Sequence, residues 1–339
     1  MLIIKQKYVK IITIVIIRHF TMEWYGVEAL FLTNFLSIGQ QVLVLFILIS
    51  IGFLCGKKGI INDNAAKKMT DIVLYVVTPC VMISAFQKEF SADTLISVLI
   101  AAAAALIILV LSTVIARLII RDKDISRKKV LQFSVIFSNC GFMSLPLQKE
   151  LLGEQGWFYG SIFVAVFNIF VWTYGLFDMS GDKKQLSIKK LVFNPGIMGA
   201  VVAIILFVCR ITLPDIISQP VTHLANLNTP VPMLIIGYYL SNAKFKDAFT
   251  DKGSYLALAL RLIAIPLAVT FAMAALGLDK TMIIAFVIAC SAPTAATTTM
   301  FAAKFNRDVE LSVGVVASST ILSIITMPLI VSLAWTVIF

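Results

Sequence analysis

Charge is what this sequence has least of. Only 14% of its 339 residues are Asp, Glu, Lys or Arg, 60% are hydrophobic, and the mean hydropathy is +0.97. A globular protein in water cannot cover its surface with so few polar side chains. The composition therefore excludes a soluble protein and predicts an all-α polytopic membrane protein.

Residues of metal, redox and hydrolytic chemistry are also scarce. The two histidines, His19 and His223, stand alone, and the five cysteines form no C-x-x-C pair. Neither a metal site, a cofactor nor a disulfide is predicted. The sequence has no H-E-x-x-H or G-x-S-x-G pattern and no paired aspartates in its apolar runs, so we do not expect an enzyme.

What is abundant is apolar sequence in runs of about 20 residues, each long enough to cross a hydrocarbon layer of roughly 30 Å. Ten such runs predict ten membrane-spanning helices. The loops between them are short, which places the function inside the helical bundle. The predicted spans are 36–56, 68–87, 94–120, 130–148, 157–177, 194–213, 221–241, 254–277, 281–303 and 311–338.

The net charge of +10 could suggest a nucleic-acid partner, but the positions of the basic residues exclude it. The loops after spans 1, 3, 5, 7 and 9 carry 19 Lys and Arg, whereas the alternate loops carry four. By the positive-inside rule the first set is cytoplasmic, so both ends of the ten-span core lie outside. The partner at this surface is the lipid bilayer.

The N-terminal segment 1–35 fits this plan poorly. Basic residues precede the apolar run "IITIVII", which resembles a signal-peptide core but lacks a small-residue cleavage site. A short extra span, a surface helix, or a natural start at Met22 are the alternatives, and we favour the last.

The first half of the chain recurs in the second. "FLC" at 53–55 returns as "FVC" at 207–209, Thr78-Pro79 returns as Thr229-Pro230, and "SNCGFMSLP" at 138–146 aligns with "CSAPTAATT" at 290–298. Five spans per half is an odd number, so the halves cross the membrane in opposite senses. The sequence predicts an inverted repeat of residues 36–177 and 194–339 joined by a cytoplasmic linker, 178–193, as in transporters with alternating access.

Spans 4 and 9 are predicted to break. Pro293 has no N–H and clashes with the carbonyl of Ala289, and Gly141 lies at the matching place in span 4. A break within lipid survives only where protein or water satisfies the freed groups. If the two breaks meet, both second halves direct helix N-termini at one point, which attracts an anion. Each segment could alternatively be a plain kink whose hydroxyls bond to their own helix.

The candidate substrate site follows from these breaks. All 18 acidic residues lie outside the middle thirds of the spans, which favours an anionic or neutral substrate over a cation. Asn139 is the first candidate ligand, with interhelical bonding as its alternative. Arg261 either snorkels to the cytoplasmic interface or acts as a counter-charge for the substrate. The remaining candidates are Ser138, Cys140, Gly141, Pro293, Thr294, Thr297, Thr298, Asn228 and Thr78.

Ordered motifs from both halves resemble the auxin efflux carrier family. They are "LISIGFLCGKKGIIND" at 48–63, "NCGFMSLPL" at 139–147 followed by "LLGEQG", and "SAPTAATTTMFAAKF" at 291–305 followed by "STILSIITMPL". The resemblance implies ten helices in two inverted five-helix repeats, with crossed, broken helices 4 and 9 as in bile acid:sodium symporters. It also implies a homodimer in a bacterial cytoplasmic membrane that transports a small organic acid such as malate or malonate.

In that family Asn139 matches the crossover asparagine and Pro293 the crossover proline. Plant members have a proline where this chain has Ser138, a glycine where it has Ser144, and a long cytoplasmic loop between spans 5 and 6. A bacterial organic-acid carrier is therefore the better interpretation than an auxin carrier.

Two alternatives to efflux or facilitated uniport remain open. The first is a symporter coupled to sodium or protons, since unwound carbonyls and hydroxyls near Pro293 could bind Na⁺. The second, of another class, is an anion channel, which would need a continuous pore.

Overall fold

The computed structural model describes residues 31–88, 91–182, 194–242 and 252–339. The predictions for residues 1–30 and for most of the cytoplasmic linker fall outside these ranges. Within the described ranges the chain is folded into helices joined by short connections. They are α1 (Phe31–Lys57), α2 (Asp63–Ala85), α3 (Ala92–Ile119), α4 (Ile125–Ile136), α5 (140–152), α6 (154–180), α7 (Pro195–Val208), α8 (Asp215–Asn226), α9 (Pro230–Asn242), α10 (Lys252–Ala275), α11 (Lys280–Ser291), α12 (Thr297–Lys304) and α13 (Val309–Ile338).

These helices are those of a multi-pass membrane protein. Among the described residues, six stretches are long and apolar enough to cross a membrane: α1, α2, α3, α10, α13, and the stretch Cys140–Ser180 that holds α5 and α6. Two further helices, α7 and α11, are apolar but shorter. Each predicted span contains either one helix or two consecutive shorter ones. Spans 4, 7 and 9 are the divided ones, made of α4 and α5, of α8 and α9, and of α11 and α12.

The join between α5 and α6 depends on one glycine. Gly153 has φ 61° and ψ −151°, a backbone conformation that a side chain strongly disfavours. The chain therefore turns here after span 4 and returns as span 5.

Helices α1 and α9 approach each other until their backbones touch. A Cβ added to Gly52 of α1 would collide with the backbone of Leu234, and one added to Gly237 of α9 would collide with the backbone of Ile49. Small residues at such crossings allow dispersion contacts between helices where lipid supplies no hydrophobic driving force. Gly39, near the other end of α1, has no atom of a described residue within 4 Å of an added Cβ.

One carboxylate is buried within the protein. The sequence predicts all acidic residues outside the middle thirds of the spans, and Asp178, at the end of α6, is only 2% exposed. Its Oδ1 accepts from Arg117 Nη2 at 3.0 Å and from Lys129 Nζ at 2.6 Å. The reason is that α6 continues to residue 180, where α3 and α4 supply cations that compensate for the burial.

Candidate functional site

Spans 4 and 9 are interrupted where the sequence predicts. In span 9 the helix ends at Ser291, and Ala292 adopts φ −63° and ψ 149° before Pro293. This extended conformation is the one that a following proline imposes on its neighbour. In span 4, Phe137 takes φ −103° and ψ 110°, and Asn139 precedes a new helical turn at Cys140. Both breaks are thus local consequences of residues that disfavour continued helix.

The two breaks lie against each other. Ser138 and Thr294 form an isolated antiparallel bridge. The N–H of Asn139 donates to Pro293 O at 2.7 Å, and the N–H of Ala295 donates to Phe137 O at 2.9 Å. Backbone groups freed by one break are therefore satisfied by the other, which resolves the cost of unpaired polar groups in a membrane. The plain-kink alternative does not describe this arrangement.

Each second half-helix begins at this contact. The N–H groups of Cys140, Gly141 and Phe142 open the first turn of α5 and meet no carbonyl within the described ranges. Gly141 and Phe142 are only partly buried. At the start of α12, the hydroxyl of Thr297 is buried and has no partner in the described part of the chain. Two helix N-termini thus bring free donors and partial positive charge to one region.

The side chain of Asn139 belongs to the same region. It is 7% exposed and makes no hydrogen bond to any described residue, and it does not cap the helix that follows it. The amide N and O of Asn139 are not among the fully buried polar atoms that lack a partner, so they keep some access to the space beside the crossing. Its own backbone, by contrast, is held by the crossing. The crossing therefore fixes the backbone of Asn139, whereas its side-chain amide is bound to no described residue.

Arg261 lies at the C-terminal ends of α4 and α11, which are the first halves of spans 4 and 9. It occupies a π-helical turn of α10, is 2% exposed, and donates to Val135 O at 3.0 Å and Ile136 O at 3.2 Å, as well as to Cys290 O. These carbonyls end α4 and α11, where a helix carries partial negative charge. The snorkelling alternative is thus wrong, because the guanidinium turns inward to cap two helices.

The other candidate residues behave in three different ways. Asn228, in the break between α8 and α9, donates from Nδ2 to Gly141 O at 3.0 Å and so joins the site. Four further candidates lie at the breaks and are buried: Ser138, Cys140, Thr294 and Thr298. Of these, Thr294 Oγ1 donates to Ser134 O at 3.3 Å. Thr78 donates to Val73 O of its own helix at 2.9 Å, which is the behaviour of a kink hydroxyl.

Sequence reasoning missed several residues that hold the crossing together. Ser319 of α13 accepts from the N–H of Thr294 at 3.1 Å. Ser144 and Gln148 of α5 donate to Ile288 O at 3.3 Å and Ala285 O at 2.6 Å of α11. The spacing of four between Ser144 and Gln148 places them on one helix face, and that polar pair in an apolar span was the available signal.

The described helices form a membrane bundle in which two opposed helix breaks bring amide and hydroxyl groups without partners to one place. These features define a transporter-like membrane protein. Comparison with known proteins agrees with this class. A family model described as "Membrane transport protein" matches residues 37–189 and 182–331. The chain belongs to this family, that of the auxin efflux carriers.

Two archaeal relatives extend over nearly the whole chain. An uncharacterized transporter of Methanocaldococcus jannaschii is 23% identical over 303 residues, which cover 85% of this chain and 96% of the relative. An uncharacterized transporter of Methanothermobacter thermautotrophicus is 23% identical over 305 residues, covering 87% and 98%. Both are similar in length to the part of the chain that they match.

Proposed function

We propose that this protein is a secondary transporter that moves a small organic anion across the cytoplasmic membrane by alternating access, as efflux or facilitated uniport. The observation that supports it most is the pair of helix N-termini at the contact between spans 4 and 9, together with the uncommitted amide of Asn139. Donors and dipoles of this kind favour a negative charge.

The proposed architecture is ten spans in two inverted repeats. It is supported by helix breaks in both halves, at residues 137–139 and 292–296, and by family matches that meet at residues 182–189. In this architecture spans 1, 2, 6 and 7 form the scaffold and homodimer, and the remaining spans move. The Asn228 to Gly141 bond would then link scaffold to moving unit. Cysteine labelling in the loops from either side of the membrane tests the proposed topology.

Uniport is favoured over sodium or proton symport. The carbonyls that end α4 and α11 already receive a permanent cation from Arg261, so no soluble ion is needed to satisfy them. An inside-negative potential supplies about 2.3 kcal/mol per 100 mV for each negative charge that leaves. We expect equal flux in sodium and choline buffers, and a requirement for sodium would favour the symporter.

The experiment is flux of labelled mono- and dicarboxylates into proteoliposomes, with Asn139→Ala as the test variant. Because the Asn139 side chain has no partner among the described residues whereas its backbone N–H holds the crossing, we expect the substitution to leave the fold intact. We expect saturable flux that falls at least about 10-fold, the value of a hydrogen bond to a charged group.

The matched control is Asn64→Ala, which removes an exposed amide near the start of α2. It should transport like the unmodified protein. Undiminished flux in the Asn139 variant would remove that residue from the site, and single-channel current steps in planar bilayers would replace the carrier with a channel.

A further inference from the structure

We infer that residues 86–88, the tip of α2, form an extracellular gate that joins the proposed scaffold to the proposed moving unit and must open before the site meets the outside. This inference rests on the proposed function, in which span 2 belongs to the scaffold and span 5 moves. It concerns the predicted extracellular ends of the spans, away from the crossing.

The tip of α2 contacts three other parts of the chain. The ring of Phe86 lies 5.3 Å from that of Phe158 in α6 and 6.1 Å from that of Phe207 in α7, measured between centroids. Gln87 Oε1 accepts from the N–H of Leu213 at 2.8 Å. Phe207 and Leu213 lie in and after span 6 of the proposed scaffold. The contact with Phe158 therefore joins the scaffold to the moving unit.

Lys88 adds a polar contact across the same boundary. Its Nζ donates to Gln155 Oε1 at 3.0 Å and lies 4.6 Å from the centroid of the Phe158 ring. Both partners belong to the first two turns of α6. Burial lowers the pKa of Lys88, and the carboxylate of Glu154 opposes that shift. The ammonium group is thus held in a partly desolvated position between two units that alternating access separates.

The aromatic rings next to Lys88 make a dry contact. Phe86 and Phe158 are each 2% exposed, and Phe207 is 3% exposed. An anion that entered such an apolar layer would lose its water without gaining a partner. Hydrophobic constrictions close membrane pathways in this way. A substrate therefore cannot pass between α2 and α6 while these rings remain in contact.

The strength of the Lys88 contact suits a gate. One hydrogen bond from a partly exposed ammonium and one cation–π contact are together equivalent to about a 3- to 10-fold change in an equilibrium. Inside the moving unit, by contrast, the buried Asp178 binds both Arg117 and Lys129, which joins spans 3, 4 and 5. Alternating access requires firm joints within a unit and a weak joint between units.

The first test measures access to the site from outside. Gly141→Cys places a thiol beside Asn139, where the added Cβ meets, among the described residues, only Val164 Cγ1 at 3.8 Å. Its reaction rate with a membrane-impermeant maleimide, added outside proteoliposomes of defined orientation, reports the outward-open population. Lys88→Gln in this background should raise the rate about 3- to 10-fold. Gln155→Glu, which gives Lys88 a carboxylate partner, should lower it.

Lys149→Gln is the matched control. Lys149 Nζ lies 4.1 Å from the centroid of Trp157, the residue next to Phe158, but both belong to spans 4 and 5 of the moving unit. Its substitution should leave the labelling rate of Gly141→Cys unchanged. Peptide mass spectrometry separates that thiol from the exposed Cys209, whose labelling checks that the reagent reaches every variant equally.

The second test holds the gate shut. Lys88→Cys and Gln155→Cys, in a Cys209→Ser background, replace the two side chains that now span the gap, and a disulfide-containing bismaleimide can bridge them. We expect the bridged protein to lose carboxylate flux at least about 10-fold and to regain it on reduction. Neither single variant should lose flux with the same reagent.

The outcomes separate the gate from the proposed function. Unchanged labelling in a folded Lys88→Gln variant, or full flux through the bridged protein, would overturn the gate and leave a carrier whose flux depends on Asn139. If the unmodified protein transports no carboxylate, the proposed function fails, and the labelling rates still decide whether the tip of α2 controls access from outside.

Discussion

Removing the Arg261 guanidinium should destabilise the protein more than any other single change at the crossing. Arg261→Met keeps an apolar side chain in the same space but leaves Val135 O, Ile136 O and Cys290 O without their donors. Each buried acceptor left unsatisfied costs about 1 to 3 kcal/mol, so three give about 3 to 9 kcal/mol. That loss is comparable with the whole unfolding free energy of many proteins.

Arg261→Lys separates the charge from the geometry. Lysine keeps the positive charge, but its single ammonium group cannot reach three carbonyls in the fixed directions of a guanidinium. We expect a stability between those of the unmodified protein and the methionine variant. Equal stability of the lysine variant and the unmodified protein would show that charge at the helix ends suffices.

The assay is unfolding of the purified protein in detergent micelles, followed by melting temperature and by denaturant titration. Arg121→Met is the matched control, because Arg121 is exposed and, within the part of the chain that the structure describes, bonds only to Leu118 O at the end of α3. It should change the unfolding free energy by less than about 0.5 kcal/mol. If Arg261→Met also stays within that margin, the helix-capping role of Arg261 is refuted.

Two further predictions concern the frame that carries the site. Gly237→Ala should destabilise the protein by about 1 to 3 kcal/mol, because the added Cβ collides with the backbone of α1. Gly39→Ala, whose added Cβ meets no described atom within 4 Å, should be neutral or slightly stabilising in thermal unfolding. Equal effects of the two substitutions would contradict the close crossing of α1 and α9. Asp178→Asn should cost about 1 to 3 kcal/mol, less than a fully buried pair because Arg117 is 49% exposed. Asp71→Asn, at a carboxylate 57% exposed, is its control, and an equally small change in both would show that the buried ion pairs contribute nothing.

The helix breaks illustrate what could be predicted from the residues. Pro293 forbids a hydrogen bond and fixes the conformation of Ala292, and these are local effects that hold in any environment. The apolar runs likewise predicted where the helices lie, because length and hydrophobicity are local properties. The ends differ by up to six residues, as at the start of α8, which begins at residue 215 where the predicted span begins at 221. Asn139 and Gly141 were found from their position relative to a recurring pattern.

Arg261 illustrates what could not. Its distance from the end of the span was compatible with a side chain that reaches the interface, and only the adjacency of α4 and α11 makes the inward path favourable. The same holds for Asp178, whose burial depends on cations from two other helices, and for Asn228, whose partner is 87 residues away.

By itself the sequence determined that this is a membrane protein, where its helices run and where two of them are interrupted, because those properties depend on side-chain polarity and on backbone chemistry between neighbours. Only the tertiary structure decided which unpaired backbone groups are satisfied and which stay free, because that depends on helices brought side by side from distant parts of the chain. The difference between a capped carbonyl and a free amide is what gives the site its charge.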